Sequence, residues 1–391
     1  MIFKMVDWLC YRLANTIVLL LSLWPRMNKY NSSPSRGKLH VLLIANDLLG
    51  DAISRIPFYA ALRRVFPHET HHIAVVLTAP IAKFFYPLPY FDEIIVASNL
   101  SCCHPLRWIF SHDGFMDASL RWALTHKTDI LLNPFRFRSL GHDYILALTN
   151  PSISIAYETL YQFRIFPATA AYQKRRIDRQ YTHLLPIVPE STQVDEMQRM
   201  LSFSIGVSNV KLSPVACRDI KMILDSSVAD KLEKPYVVFV PGAGANCRRW
   251  PVERFAQVAT GLKHNIVVVG TKDEEVLGDA IPRAINLCGK TSLSQLGGIL
   301  AGADLVIANE TGTATYAAVI GARTLCLVGG GDFNAFFPND FYKNTRSIYC
   351  YDSCFSCMWN CSKTDLSRCI APCVDAISVE EVREAALEML R

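Results

Sequence analysis

The chain has no dense run of lysine and arginine, no repeat of short fixed period and no low-complexity tract. Forty Lys+Arg against 35 Asp+Glu leave a formal net charge of +5 over 391 residues. That balance excludes the basic tail or stripe of a nucleic-acid binder, so no nucleic acid is expected as a partner. A modest positive excess suits an anionic small molecule or a membrane surface. Also missing is the run of about 20 apolar residues that crosses a bilayer. The longest apolar-leaning stretch, Leu13 to Trp24, is interrupted by Asn15, Thr16 and Ser22. No small-x-small cleavage site follows it in "NKYNSSPSRGKLH", which argues against a secretory signal. Nor are the 13 cysteines spread as in a secreted disulfide scaffold, because six lie between Cys350 and Cys373.

Half of the residues are hydrophobic (51%), enough for a sizeable core in each of two domains. The second half of the chain alternates short apolar runs with helical patterns. "YVVFV", "NIVVVG", "AINLC", "DLVIAN" and "TLCLVG" read as strands buried on both faces. The first half repeats the theme with "LHVLLIAN", "IAVVLT", "EIIVAS" and "DILLNP" as strands and residues 51–67 as one helix. Strand and helix in alternation imply an α/β chain with two Rossmann-like, doubly wound parallel sheets. Residues 1–37, with tryptophans and basic residues around the apolar stretch, read as a membrane-associating helix and linker. The expected domains are then 38–215 and 216–375, followed by a C-terminal helix over 376–391. That helix opens on a capping box, Ser378 to Glu381.

Chemistry concentrates where strands hand over to helices. In "VVFVPGAGANCRRWPVERFA", Gly242 and Gly244 let the backbone approach a bulky anion. Arg248 and Arg249 add charge-assisted donors beside a helix N-terminus. A glycine turn with solvated arginines is the bland alternative. In "LVIANETGTATYAAVIGA", the turn residues Glu310, Thr311, Gly312 and Thr313 offer N–H and hydroxyl donors to phosphate or sugar; a ligand-free capping turn is the alternative. Glu274 lies just past a strand end, where it could grip a sugar hydroxyl or simply open a charged helix. Asp51, after Gly50 at the first such turn, is either a helix cap or a base.

In their order, "LLGDAISRIPFYAALRRVFP", "VPGAGANCRRWPVERFA" and "GKTSLSQLGGILAGADLVIANETGTATYAAVIGARTLCLVG" resemble glycosyltransferase family 9, the ADP-heptose:lipopolysaccharide heptosyltransferases. The resemblance covers roughly residues 38 to 385. It implies a GT-B fold, with the acceptor held by the first domain and a nucleotide sugar, ADP-heptose, by the second. It also implies inverting transfer with no cofactor required, onto a lipopolysaccharide core or another lipid-linked glycan, at the cytoplasmic face of the inner membrane. On that resemblance Asp51 is the general base and Arg248 contacts the donor diphosphate. Glu274 lies near the donor's ribose or sugar, and Glu310, Thr311 and Gly312 form the phosphate turn. Two positions depart from the family pattern: Glu310 stands where Asp is common, and Thr315 stands near where a His is common. A UDP-linked donor, or a non-catalytic nucleotide-sugar-binding protein of the same fold, are the rival readings.

The segment "CYDSCFSCMWNCSKTDLSRCIAPC" stands outside this scheme. Cys354, Cys357, Cys361 and Cys369 could supply four thiolates to a structural zinc. Disulfides and unbridged thiols are the alternatives. Cys350, Cys354 and Cys357 also have the spacing of a radical-SAM cluster, but that motif opens a barrel domain, and here it follows five strands of a nucleotide-binding sheet.

Overall fold

The computed structural model describes residues 37–45, 48–97, 122–123, 125–135, 138, 145–146, 148–158, 178–188, 191–204, 206, 212 and 223–391. The expected N-terminal membrane-associating helix and linker, residues 1–37, lie outside the described residues except for Gly37. The chain forms two compact units. The first comprises residues up to Leu48, Phe58–Pro189 and Glu196–Lys211; the second comprises Leu49–Pro57, Glu190–Asp195 and Leu212–Arg391.

The first unit is built on a parallel six-stranded sheet. Its strands are β1 (Leu39–Ile44), β2 (His71–Leu77), β3 (Glu93–Val96), β4 (Ile130–Asn133), β5 (Ile153–Tyr157) and β6 (His183–Leu185). They lie in the order β3-β2-β1-β4-β5-β6. The central strand β1 is apolar without alternation, and Val41 to Ile44 are all fully buried, as a strand covered on both faces requires. Leu42, Ile44, Ala74, Val76, Leu131 and Trp122 form the heart of one core. Strands β5 and β6 fall in the stretch 150–230, where no element is legible from sequence. The first, Ile-Ser-Ile-Ala-Tyr, is broken by Ser154, and the second is only three residues long, so neither makes an apolar run.

The second unit repeats the plan with β7 (Tyr236–Val240), β8 (Asn265–Val268), β9 (Ile285–Asn286), β10 (Leu305–Asn309), β11 (Thr324–Leu327) and β12 (Thr345–Ile348). The order is β12-β11-β10-β7-β8-β9, again all parallel. Strand β12 escapes a reading by apolar runs because its sequence is Thr-Arg-Ser-Ile at the sheet edge. Trp250, Phe255, Val258 and Val382 pack on this sheet, so the C-terminal helix Val379–Leu390 is part of the core. Its capping box forms: the Ser378 hydroxyl accepts from the Glu381 N–H at 3.2 Å, and Glu381 Oε2 accepts from the Ser378 N–H at 3.2 Å.

Two local details position the site. The helix expected over 51–67 is two helices, Leu49–Ser54 and Ile56–Val65. Pro57 has no N–H to bond back to residue 53, and it disfavours helical backbone at the residue before it. The shorter helix packs in the second unit against the helix Gly312–Val319. There, Gly50 and Gly312 approach backbone to backbone. A Cβ on Gly312 would lie 2.8 Å from the Gly50 nitrogen, and one on Gly50 would lie 3.0 Å from the Gly312 Cα. No larger side chain fits at either position without moving a helix.

Candidate active site

Asp51 is the third residue of its helix, and its carboxylate reaches beyond its own backbone. Oδ1 accepts from Gln193 Nε2 at 3.0 Å. Gln193 is oriented in turn by the Ser54 hydroxyl, which donates to Oε1, and by its own N–H on the Ala335 carbonyl at 3.0 Å. The protein surrounding Asp51 raises its pKa to about 6, because burial disfavours the charge. The Gln193 hydrogen bond and Arg248 hold it down, while Asp332 pushes it up. The carboxylate is thus held by a neighbour's side chain as well as by its own backbone.

The paired arginines diverge. Arg249 turns back on its own loop, donating through Nε and Nη2 to the Ala243 carbonyl at 3.2 and 2.9 Å. It also lies 3.6 Å from Glu274 Oε1. Glu274 closes a capping box, with Oε2 accepting from the Thr271 N–H at 2.8 Å. Its carboxylate rests on Gly242, where a Cβ would lie 2.0 Å from Oε1. Gly242, Arg249 and Glu274 are therefore one buttress, and Gly242 makes room for a side chain of this protein. Gly244 is exposed and meets nothing within 4 Å of its would-be Cβ.

Arg248 faces the other way. Its Nη2 donates to the Glu310 carbonyl at 3.5 Å and lies 3.9 Å from Asp332 Oδ2. Its guanidinium sits over the Trp359 ring, 4.8 Å from the centroid, and its Nε is buried without a partner. Glu310 follows β10 with 5% exposure and no hydrogen-bond partner for either carboxylate oxygen. Burial pushes its pKa up to about 8; Arg248 opposes this and Asp332 adds to it. Thr311 caps the following helix, its hydroxyl accepting from the Ala314 N–H at 3.3 Å. The Gly312 and Thr313 N–H groups are in the first helical turn, where no intrahelical partner exists. Thr315, one turn on, donates its hydroxyl back to the Thr311 carbonyl at 3.3 Å.

Of the residues expected from sequence, the fold thus brings together Asp51, Arg248 and the Glu310–Thr313 turn. It sets Gly242, Arg249 and Glu274 apart as the neighbouring buttress. Three further residues complete the group and were not legible: Gln193, Asp332 and Trp359. Gln193 lies in the stretch without readable elements, and the other two follow a glycine run and sit among the cysteines.

In the cysteine segment, Cys354, Cys357 and Cys361 line one small cavity. The fourth thiol there is Cys373; Cys369 instead meets the Thr364 hydroxyl at 3.1 Å and the Asp365 carbonyl at 3.4 Å. All nine described cysteines are free thiols. Among the described residues no group of three or more His, Cys, Asp or Glu side chains is arranged to hold a metal ion.

The buried Glu310 makes stability depend on pH. Its pKa rises from an ordinary 4.5 to about 8 on folding. Its stabilising contribution is full below 4.5 and is lost as pH rises through about 8. Asp51 acts with the same sign between 3.8 and about 6. Glu310→Gln cannot ionise and lacks the upper slope. Between pH 6 and 8.5 the melting temperature of the unaltered protein should drop by a few degrees relative to the variant, at about 2–4 °C per kcal/mol. Parallel curves would show that Glu310 does not carry this buried charge.

The family model of glycosyltransferase family 9 (heptosyltransferase) matches residues 162–358, just over half of the 391. The chain is 27% identical over 163 residues to lipooligosaccharide heptosyltransferase 2 of Campylobacter jejuni subsp. jejuni serotype O:2, covering 39% of this chain and 50% of that protein. It thus spans about half the length of the curated relatives it matches, as with a second C. jejuni relative at 49%. Among solved structures, the glycosyl transferase family 9 protein of Veillonella parvula superposes with a TM-score of 0.63 at 20% identity, over 90% of this chain and 98% of that one. The E. coli heptosyltransferase WaaC with ADP gives 0.63 at 14% identity, over 90% and 100%. These likenesses identify the fold as GT-B. With more than half its length matched by the family model, the chain belongs to glycosyltransferase family 9.

Proposed function

We propose that the protein is an inverting glycosyltransferase that moves a heptose or related sugar from a nucleotide-diphosphate donor, ADP-heptose, to a lipopolysaccharide core or another lipid-linked glycan. Family membership supports the transfer, and the names of the relatives and neighbours support the donor and acceptor class. The observation that carries the reading is the placement of Asp51, held by Gln193 and titrating near 6, in the same group as Arg248 and the Glu310–Thr313 turn.

The chemistry follows from that group. The acceptor hydroxyl oxygen attacks the anomeric carbon, the bond from that carbon to the diphosphate oxygen breaks, and the hydroxyl proton passes to Asp51. A base with a pKa near 6 is ionised at neutral pH and still basic enough to accept the proton as the bond forms. Negative charge grows on the departing diphosphate. Arg248 and the first-turn N–H groups of Gly312 and Thr313 are the donors that meet it. No step requires a metal or a cofactor.

Asn occupies the same space as Asp and makes the same kind of local hydrogen bonds, but it cannot take a proton. Asp51→Asn should leave the fold and nucleotide affinity nearly unchanged while turnover falls by about 10²–10⁴. In the unaltered enzyme, kcat/KM should decline about tenfold per unit below pH 6, as the base becomes protonated. Donor hydrolysis with ADP- and UDP-sugars reads both. Retention of most activity by Asp51→Asn would remove it from the chemistry.

Two further parts of the reading rest on sequence. Among the described residues no helix is long and apolar enough to cross a membrane. We place the protein on the cytoplasmic face of the inner membrane through residues 1–36. A chain lacking them should stay in the supernatant when sedimented with anionic vesicles, and equal pelleting with and without the segment would refute this. For the cysteine segment, a structural zinc needs the thiols of Cys354, Cys357 and Cys361 to converge with Cys369 or Cys373. Metal analysis of protein purified without chelator decides this: roughly one zinc per chain, lost on changing Cys354 and Cys357 together, would support the site. Metal-free protein with every thiol titratable would end the zinc reading.

A further inference from the structure

The cysteine segment is clamped onto the donor side of the second unit. The backbone of Ser356 donates to the Gly330 carbonyl at 2.7 Å, and that of Met358 to the Gly331 carbonyl at 2.8 Å. From the other end, Cys373 Sγ accepts from the Gly330 N–H at 3.3 Å. Ser356, Met358 and Trp359 all hold left-handed backbone, at φ of 64°, 50° and 57°. Non-glycine residues rarely adopt this region, and three in four positions persist only where the surroundings impose it. The glycine run Gly329–Gly330–Gly331 is the matching surface. A Cβ on Gly331 would lie 2.1 Å from the Trp359 ring, one on Gly329 would lie 2.5 Å from it, and one on Gly330 would lie 2.5 Å from Phe355.

The strained backbone delivers the Trp359 ring to a defined place. Its face lies 4.8 Å beneath the Arg248 guanidinium, and its Nε1–H donates to Asp332 Oδ2 at 2.6 Å. That same carboxylate oxygen is 3.9 Å from Arg248 Nη2. The indole therefore does two things at once. It supports the guanidinium from one face through the ring's negative quadrupole. It also occupies the carboxylate oxygen that would otherwise close on the arginine and compete with an incoming anion.

We propose that Trp359 is a positioning residue for the donor, holding Arg248 ready for the diphosphate through its ring and its bond to Asp332. The proposal rests on the assignment of Arg248 to the diphosphate. It gives the cysteine segment a role in donor affinity, independent of whether a metal is bound there.

The test is a double-mutant cycle read by calorimetric affinity for ADP and UDP, using the full chain. Arg248→Ala should weaken the preferred nucleotide about ten- to a hundredfold. Trp359→Met, which fills the volume over the glycines without a ring, should weaken it about five- to thirtyfold. The double variant should be no weaker than Arg248→Ala alone, since a support is worthless once the group it supports is gone. Trp359→Phe, which keeps a ring, should recover part of the loss. In donor turnover, Trp359→Met should raise KM and also lower kcat, because Arg248 meets the charge that grows on the departing diphosphate. Weakening by Arg248→Ala with none by Trp359→Met, or additive losses in the double variant, overturns the proposal and leaves the diphosphate assignment standing. An unchanged affinity in Arg248→Ala overturns the assignment itself and the proposal with it. Should Trp359→Met fail to fold, Trp359→Phe decides by the same cycle: a loss that vanishes in the Arg248→Ala background supports the proposal, and an additive loss or none overturns it.

Discussion

The close approach of Gly50 to Gly312 is the constraint on which the site depends. Two helices meet through their first turns with no side chain between them, since a Cβ on either glycine would press on the other's backbone. Both termini carry partial positive charge from unpaired N–H groups. Asp51 is the next residue after Gly50, so the contact sets a carboxylate one residue from the touching point. The approach keeps Asp51 within electrostatic reach of Arg248.

The charges gathered there are not balanced by simple pairing. Three carboxyl groups feel one guanidinium: Asp332 makes a loose ion pair with Arg248 at 3.9 Å, and the same charge acts on Asp51 and Glu310. Burial decides which of them stays neutral. Glu310, with no partner for its oxygens, has its pKa pushed to about 8, so it is mostly protonated at neutral pH. Asp51, with the Gln193 hydrogen bond, reaches only about 6 and is mostly ionised. The environment pushes two similar groups to opposite sides of neutrality, the usual arrangement when a site needs one base and little surplus negative charge. A further ionised carboxylate beside Arg248 would oppose a diphosphate. The longer Glu at position 310 is accommodated in its neutral form.

Sequence reading reached the strands of the second unit because each is an apolar run buried on both faces. It missed β12 because an edge strand reading Thr-Arg-Ser-Ile leaves no apolar run, and β6 because it is only three residues long. Asp51, Arg248 and Glu310 were legible because each lies where a strand hands over to a helix. Glu274 was legible too, but with its role open. The pattern Thr271-x-x-Glu274 is a capping box, and the structure uses the carboxylate in that box and as the partner of Arg249. Gln193 and Trp359 were out of reach for a different reason. Each matters through one long-range contact, across 142 residues in the first case and 27 in the second, and no local pattern encodes such a distance.

The legible part of the site and the illegible part meet at the switch point of the second sheet. In the order β12-β11-β10-β7-β8-β9, the strand sequence reverses between β10 and β7, and a crevice opens beyond the carboxyl ends of that pair. Asn309, fully buried at the end of β10, spans it. Its Oδ1 accepts from the Trp250 N–H at 3.1 Å, and its Nδ2 donates to the Pro241 carbonyl at 2.7 Å. The loop carrying Arg248 is thus fastened at both ends to the strand carrying Glu310. Within that frame the two arginines have different freedom. Arg249 is committed to the Ala243 carbonyl and Glu274, whereas Arg248 has an unpartnered Nε and weak, long contacts to Glu310 and Asp332. A side chain already satisfied by its own protein has little to offer a ligand. Of the adjacent pair, Arg248 is therefore the one proposed for the anion, and Arg249 keeps the loop that presents it in shape.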